Sequence, residues 1–143
     1  MVRTFAAIAL AAGFAACAPA ESLAISDAEF HPPLGSSGIG AGYFTIRSVK
    51  ADRIVAVTSP EADSIEIHAS VTKDGQASMK RLETVDLPAG RAIRFEPGGM
   101  HLMVFSPRLE DLKTVFPITI ELQSGAKQTI PFKKSEGGGE PHS

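Results

Sequence analysis

Ser64-Ile-Glu-Ile-His-Ala-Ser-Val-Thr-Lys-Asp-Gly-Gln-Ala-Ser-Met-Lys-Arg-Leu-Glu83 is the stretch whose reading decides the fold. Ser64 to Val71 alternates with a period of two. Ile65, Ile67, Ala69 and Val71 fall on one side, and Ser64, Glu66, His68 and Ser70 on the other. That is the pattern of a strand with one face toward a core. Asp74-Gly75 follows, a dipeptide favoured in two-residue hairpin turns because both positions accept positive φ. Ala77 to Glu83 is then the returning strand. With Asp74-Gly75 at the turn, paired residue numbers sum to a constant, so His68 faces Arg81 and Ser70 faces Met79. His68, Ser70, Met79 and Arg81 therefore share the face opposite the apolar one. His68 and Met79 are diagonal neighbours, about 7–8 Å apart at the backbone, close enough for long side chains to meet.

Working outward, the same texture recurs along the chain. Leu23 to Phe30 reads as a first strand, followed by a loop at His31-Pro32-Pro33-Leu34-Gly35-Ser36-Ser37-Gly38, where prolines lack donors and glycines break periodicity. Gly42–Ser48 and Asp52–Ser59 read as an antiparallel pair across a short link. Arg91–Phe95, Met100–Phe105, Phe116–Leu122 and Gln128–Phe132 complete the set, the last two closing a hairpin around Ser124-Gly125. Arg108–Lys113 is the one place for a short helical turn. Eight or nine short strands with regular turns define an all-β Greek-key sandwich or barrel.

The chain has 143 residues, enough for one domain with a core. A formal net charge of −2, a single tyrosine and no tryptophan argue against a nucleic-acid surface. Met1-Val2-Arg3, the alanine-rich apolar run Phe5–Ala16 and the small residues of Ala18-Pro19-Ala20 form a signal-peptide pattern, too short for a membrane span. Residues 1–20 are expected to be cleaved, 21–134 to form the domain, and 135–143 to be a disordered tail. Phe14-Ala15-Ala16-Cys17 also resembles a lipobox, so a lipid-anchored form is the alternative to soluble export. If the signal is removed, the remaining chain has no cysteine and can form no disulfide.

Met100–Phe105 supplies a second polar-and-thioether pair. His101 and Met103 are two residues apart and project from one side of the strand, while Met100 joins Leu102 toward the core. A lone methionine in a β-protein is ordinarily a core gap-filler, and a lone strand histidine a surface residue. Here four of the seven His and Met residues that follow the signal fall into one pattern, and Met79 stands on a polar face. Two neutral imidazoles and two thioethers without a thiolate suit Cu(I). His31 reads as a loop residue. Asp63, Glu66, Glu110 and Asp111 read as solvated charges. No nucleophile elbow or phosphate loop is present.

The spacing His68, ten residues, Met79, twenty-one residues, His101, one residue, Met103 matches the signature of the PCu(A)C family of bacterial periplasmic copper chaperones. Pro97-Gly98-Gly99-Met100-His101-Leu102-Met103 resembles that family's Pro-Gly-Gly-aromatic-His-aliphatic-Met segment, and the resemblance runs from about Ile25 to Phe132. It implies a cupredoxin-like fold and one Cu(I) per chain, held by His68, Met79, His101 and Met103. It also implies delivery of that ion by ligand exchange to an acceptor, an oxidase subunit or another assembly chaperone, during assembly of haem-copper oxidase and its CuA centre. No enzymatic turnover is expected, and a periplasmic monomer is. Ala69 stands where many members carry methionine, Met100 where an aromatic is common, and the tail carries only His142. A copper buffer without a dedicated acceptor and a metal-free binding module are the rival readings. A blue-copper electron carrier lacks its thiolate, since Cys17 lies in the export signal.

Overall fold

The computed structural model describes residues 23–110 and 114–136. The expected signal peptide, nearly all of the expected C-terminal tail and the second half of the expected helical turn at Arg108–Lys113 lie outside the described residues. Arg108 and Leu109 themselves are irregular. The strands are β1 (Leu23–His31), β2 (Ile39–Ser48), β3 (Asp52–Thr58), β4 (Ser64–Lys73), β5 (Gln76–Leu82), β6 (Val85–Leu87), β7 (Ala92–Phe95), β8 (Met100–Phe105), β9 (Val115–Leu122) and β10 (Lys127–Lys134). The all-β, cupredoxin-like reading holds, with ten strands in place of eight or nine. The addition is β6, three residues whose Val85 and Leu87 are buried while Asp86 faces out. Three residues are too few to declare a period.

All ten strands belong to one sheet, ordered β5-β4-β8-β7-β2-β1-β10-β9-β3-β6, with β8 also paired directly to β2. It curls into a nearly closed barrel around Phe30, Phe44, Ile46, Ile54, Leu102, Val104, Phe116, Ile118, Ile120 and Phe132, each 1% exposed or less. Two stacked ring pairs, Phe30–Phe116 and Phe44–Phe95, each with centroids 4.2 Å apart, tie strands distant in sequence. Gly40 admits the first pair: a Cβ there would lie 2.7 Å from the Phe30 ring.

The hairpin read from Ser64–Glu83 is present in the expected register, with His68 opposite Arg81 and Ser70 opposite Met79. Asp74 (φ 52°) and Gly75 (φ 77°) both take the left-handed conformation such a turn demands. The apolar face of β4 is buried only in its first half. Ile67 is in the core, whereas Val71 is 42% exposed, because the hairpin runs past the barrel.

β1 carries a bulge. Its pairing with β2 shifts between Ser26 and Glu29, where Asp27 has φ 54°. Before the bulge Leu23 and Ile25 point inward, and after it Ala28 and Phe30 do. One extra residue thus reverses parity, which seats Phe30 in the core and turns Glu29 and His31 outward.

Candidate metal centre

β8 is the strand on which the site is built, because it lies between β4 and β2. In the β4–β8 ladder His68 is directly opposite His101, and Glu66 directly opposite Met103. Leu102 and Val104 point inward and are fully buried, so His101 and Met103 stand together on the outer face. Across β4, the hairpin register puts Met79 opposite Ser70, diagonal to His68 on that same face. All four predicted residues therefore share the outer face of β5-β4-β8. They occupy strand positions, with His68 in the middle of β4.

Their environments differ. His101 is only 8% exposed. His68 is largely buried, and its ring centroid is 6.1 Å from that of His101. Met103 is half-buried, and Met79 is 62% exposed on β5, which among the described residues pairs only with β4. Met79, His101 and Met103 line one open groove of about 460 Å³, with His31, Ala41 and Tyr43 on its other side. Met100 takes the opposite parity and packs against the core, as the sequence pattern required.

The hydrogen bonds fix which imidazole nitrogens are engaged. His68 Nε2 lies 2.8 Å from Glu66 Oε2, and Arg81 Nη1 lies 3.1 Å from Glu66 Oε1. With Nε2–H donating to the carboxylate, Nδ1 of His68 is a buried acceptor with no partner. His101 Nδ1–H donates to the Gly99 carbonyl at 3.3 Å, which leaves its Nε2 as the free lone pair. That carbonyl also accepts from Ser70 N–H at 3.1 Å, so the Pro97-Gly98-Gly99 turn is tied to β4 as well as to His101. Gly98 takes φ 80°, a conformation the turn obtains from glycine. Burial holds the His101 imidazolium pKa below its ordinary 6.5. The Gly99 hydrogen bond opposes that shift, and the neighbouring His68 adds to it.

Two residues of this face escape the sequence pattern. Glu66 is no solvated charge but the link between Arg81 and His68, whereas Asp63 is exposed and paired with Arg108 at 2.9 Å. His31 is no loop residue but the last of β1, edge-on to Tyr43 with centroids 5.2 Å apart. The usable signal was a repeated triplet, Glu29-Phe30-His31 and Glu66-Ile67-His68. Among the described residues no three His, Cys, Asp or Glu side chains cluster closely enough to hold an ion. The thioethers of Met79 and Met103 stand on the same face as the histidine pair.

The fold defined by these strands is that of PCuAC domains. The copper-bound PCuAC domain from PmoF2 superposes with a TM-score of 0.65 at 17% identity, covering 80% of this chain and 92% of that domain. Apo-DR1885 from Deinococcus radiodurans gives a TM-score of 0.60 at 20% identity, covering 96% and 95%. The family described as "Putative lipoprotein LpqE-like" matches residues 23–133, and the chain belongs to it. These findings bear out the PCu(A)C resemblance. Among curated relatives, "Putative lipoprotein Lxx21020" of Leifsonia xyli subsp. xyli is 26% identical over 108 residues, 73% of this chain and 58% of that protein. The uncharacterized protein RP573 of Rickettsia prowazekii is 25% identical over 103 residues, 69% of this chain and 57% of that protein. The chain thus spans somewhat more than half the length of both relatives.

Proposed function

We propose that the protein is an exported carrier of copper(I), one ion per chain, with His68, Met79, His101 and Met103 as ligands and the ion as its cargo. The carrying observation is the register: β4 and β8 set two imidazoles directly opposite one another, with a thioether beside each on the same face. The donor chemistry fits, since neutral nitrogen and sulfur without thiolate select a soft monovalent ion. An unpartnered buried nitrogen on His68 supports the same reading, because leaving it unmet is unfavourable unless something occupies it. Nδ1 of His68 and Nε2 of His101 are the atoms left for the metal.

Exposure supports carriage over permanent residence. Met79 stands on an edge strand open to solvent, so an acceptor's donor can displace it first while the two imidazoles still hold the ion. Ligand exchange of this kind makes and breaks only metal–ligand bonds and needs no enzymatic chemistry. The lipoprotein names of the family and of the Leifsonia relative support export or a lipid anchor, in line with the leader pattern at residues 1–20. We take the acceptor to be a haem-copper oxidase subunit or another assembly factor.

Competition against a Cu(I) chelator tests the site. Wild type takes one Cu(I), and Met79→Ile and Met103→Ile each bind at least tenfold more weakly with the sheet intact. If both variants bind like wild type, the ligand assignment is wrong. Gene deletion tests the role: oxidase assembly fails at low copper if the protein delivers, whereas only tolerance of excess copper falls if it buffers.

A further inference from the structure

The unpartnered nitrogen of His68 has a counterpart. Among the described residues the buried side-chain nitrogen and oxygen atoms without a hydrogen-bond partner are Nδ1 of His68 and Nδ1 of His31. The two histidines are built alike. Each closes a Glu-x-His triplet on a strand, with the middle residue, Ile67 or Phe30, buried in the core. In each, Nε2 faces the carboxylate of its own triplet, at 2.8 Å from Glu66 and 3.5 Å from Glu29. Strand alternation produces this geometry, since residues two apart stand side by side on one face. The orphaned Nδ1 follows in both.

Register places His31 within reach of the candidate centre. His31 is opposite Ala41 on β2, and Ala41 is opposite Met103 on β8, so the three form one row across the outer face. Two strand spacings separate the backbones of His31 and Met103 by roughly 9–10 Å. The Ala41 methyl between them is too small to fill that space. His31, Ala41 and Met103 all line the groove that Met79 and His101 border. An imidazole and a thioether reaching from opposite sides can meet over alanine, and Tyr43 braces the His31 ring from its edge.

We infer that His31 and Met103 form a second station for the same soft monovalent ion. It is an alternative to the four-ligand set, shares Met103 with it, and serves as the position through which the ion leaves. This rests on the Proposed function in one respect, the assignment of Met103 as a ligand. Neutral imidazole with thioether is again the chemistry of Cu(I), or of Ag(I) as its redox-inert stand-in.

The test uses the full chain labelled with ¹⁵N-histidine and titrated with Ag(I). In a His68→Gln/His101→Gln variant, one Ag(I) still binds and the Nδ1 resonance of His31 moves while that of His142 does not. Adding His31→Gln weakens that binding at least tenfold. The amide spectrum of each unloaded variant reports whether the sheet is intact. Should the double variant not fold, His31→Gln alone decides: equilibrium Cu(I) affinity stays within about twofold of wild type, and release to an excess of chelator slows at least threefold. A static His31 resonance, a shift confined to His142, or unchanged release overturns the second station and leaves the four-ligand reading standing. A wild-type chain in which Ag(I) moves His31 but neither His68 nor His101 supports the station and removes the four-ligand reading instead.

Discussion

If His68 is a copper ligand, as proposed, Glu66 acts on the ion through it. Its carboxylate accepts a hydrogen bond from Nε2–H of the His68 ring and is itself held by Arg81. In the neutral ring that hydrogen bond selects the tautomer whose lone pair is on Nδ1, the one a metal would use. Glu66→Ala should weaken Cu(I) binding about tenfold or more, in the range found for groups that orient metal-bound histidines. Glu66→Gln, which keeps an acceptor at the same place, should recover part of the loss. Chelator competition on both variants measures this, and equal affinities for Glu66→Ala and wild type would remove Glu66 from the site. His101 gives a second expectation, in the apo protein. Burial holds its folded-state pKa below the unfolded 6.5, so the unfolded chain takes the proton more readily. The stability this ring contributes is present above pH 6.5 and is lost as pH falls through its depressed folded value. Denaturant unfolding between pH 7.5 and 5 should show the decline, and His101→Asn should flatten it. That His68 shares one face with Met79, and His101 one face with Met103, was legible in the sequence, because strand parity and the hairpin turn fix it locally. Glu66 and His31 were not legible, because a glutamate on a polar face and a histidine beside prolines both have commoner explanations.

The β4–β5 hairpin turns spacing into geometry. Its register follows from two φ-positive residues at Asp74-Gly75, and a face is a matter of parity alone. Exchanging neighbours on β5 tests this without changing composition. In Met79→Lys/Lys80→Met both positions are exposed, so folding stability should change little, yet the thioether moves to the opposite face. Copper affinity should fall to the level of Met79→Ile. Retained affinity would mean that the β5 thioether is no ligand. This hairpin could be read from its own sequence because every determinant is local: alternation, turn dipeptide, return. The β1 bulge could not, since the alternation there breaks at Asp27 without saying which side the strand resumes on. Phe30 decides it by entering the core against Phe116, a contact made more than eighty residues away. His31 faces the groove only as a result. β6 was missed for the opposite reason, being too short to carry a pattern and held by pairing with β3.

Across the molecule, the proposed metal site occupies the strip β5-β4-β8, while β9 and β10 lie on the far side of β2 and β1 in the sheet order. The pairings that make this arrangement, β4 with β8 and the short parallel ladder of β1 with β10, join distant segments, and no local pattern announces them. An ion held by His68, Met79, His101 and Met103 would join three strands, one of them the edge strand β5. Binding to the folded state stabilises it by about 2.7 kcal/mol when free ligand stands at a hundred times Kd. That gain is not shared evenly among openings. Amides of β5 can exchange when the edge strand peels from β4, a local event that separates Met79 from the other three ligands. Copper must be released, or its site reduced to three ligands, before that event occurs. Amides of β9 and β10 that exchange by local fluctuation lose no ligand when they open, and they gain only where exchange requires global unfolding. Hydrogen exchange with and without one equivalent of Cu(I) should therefore show the largest added protection in β5, then in its partners β4 and β8. Protection that is uniform, or greatest in β9 and β10, would place the ion elsewhere on the barrel.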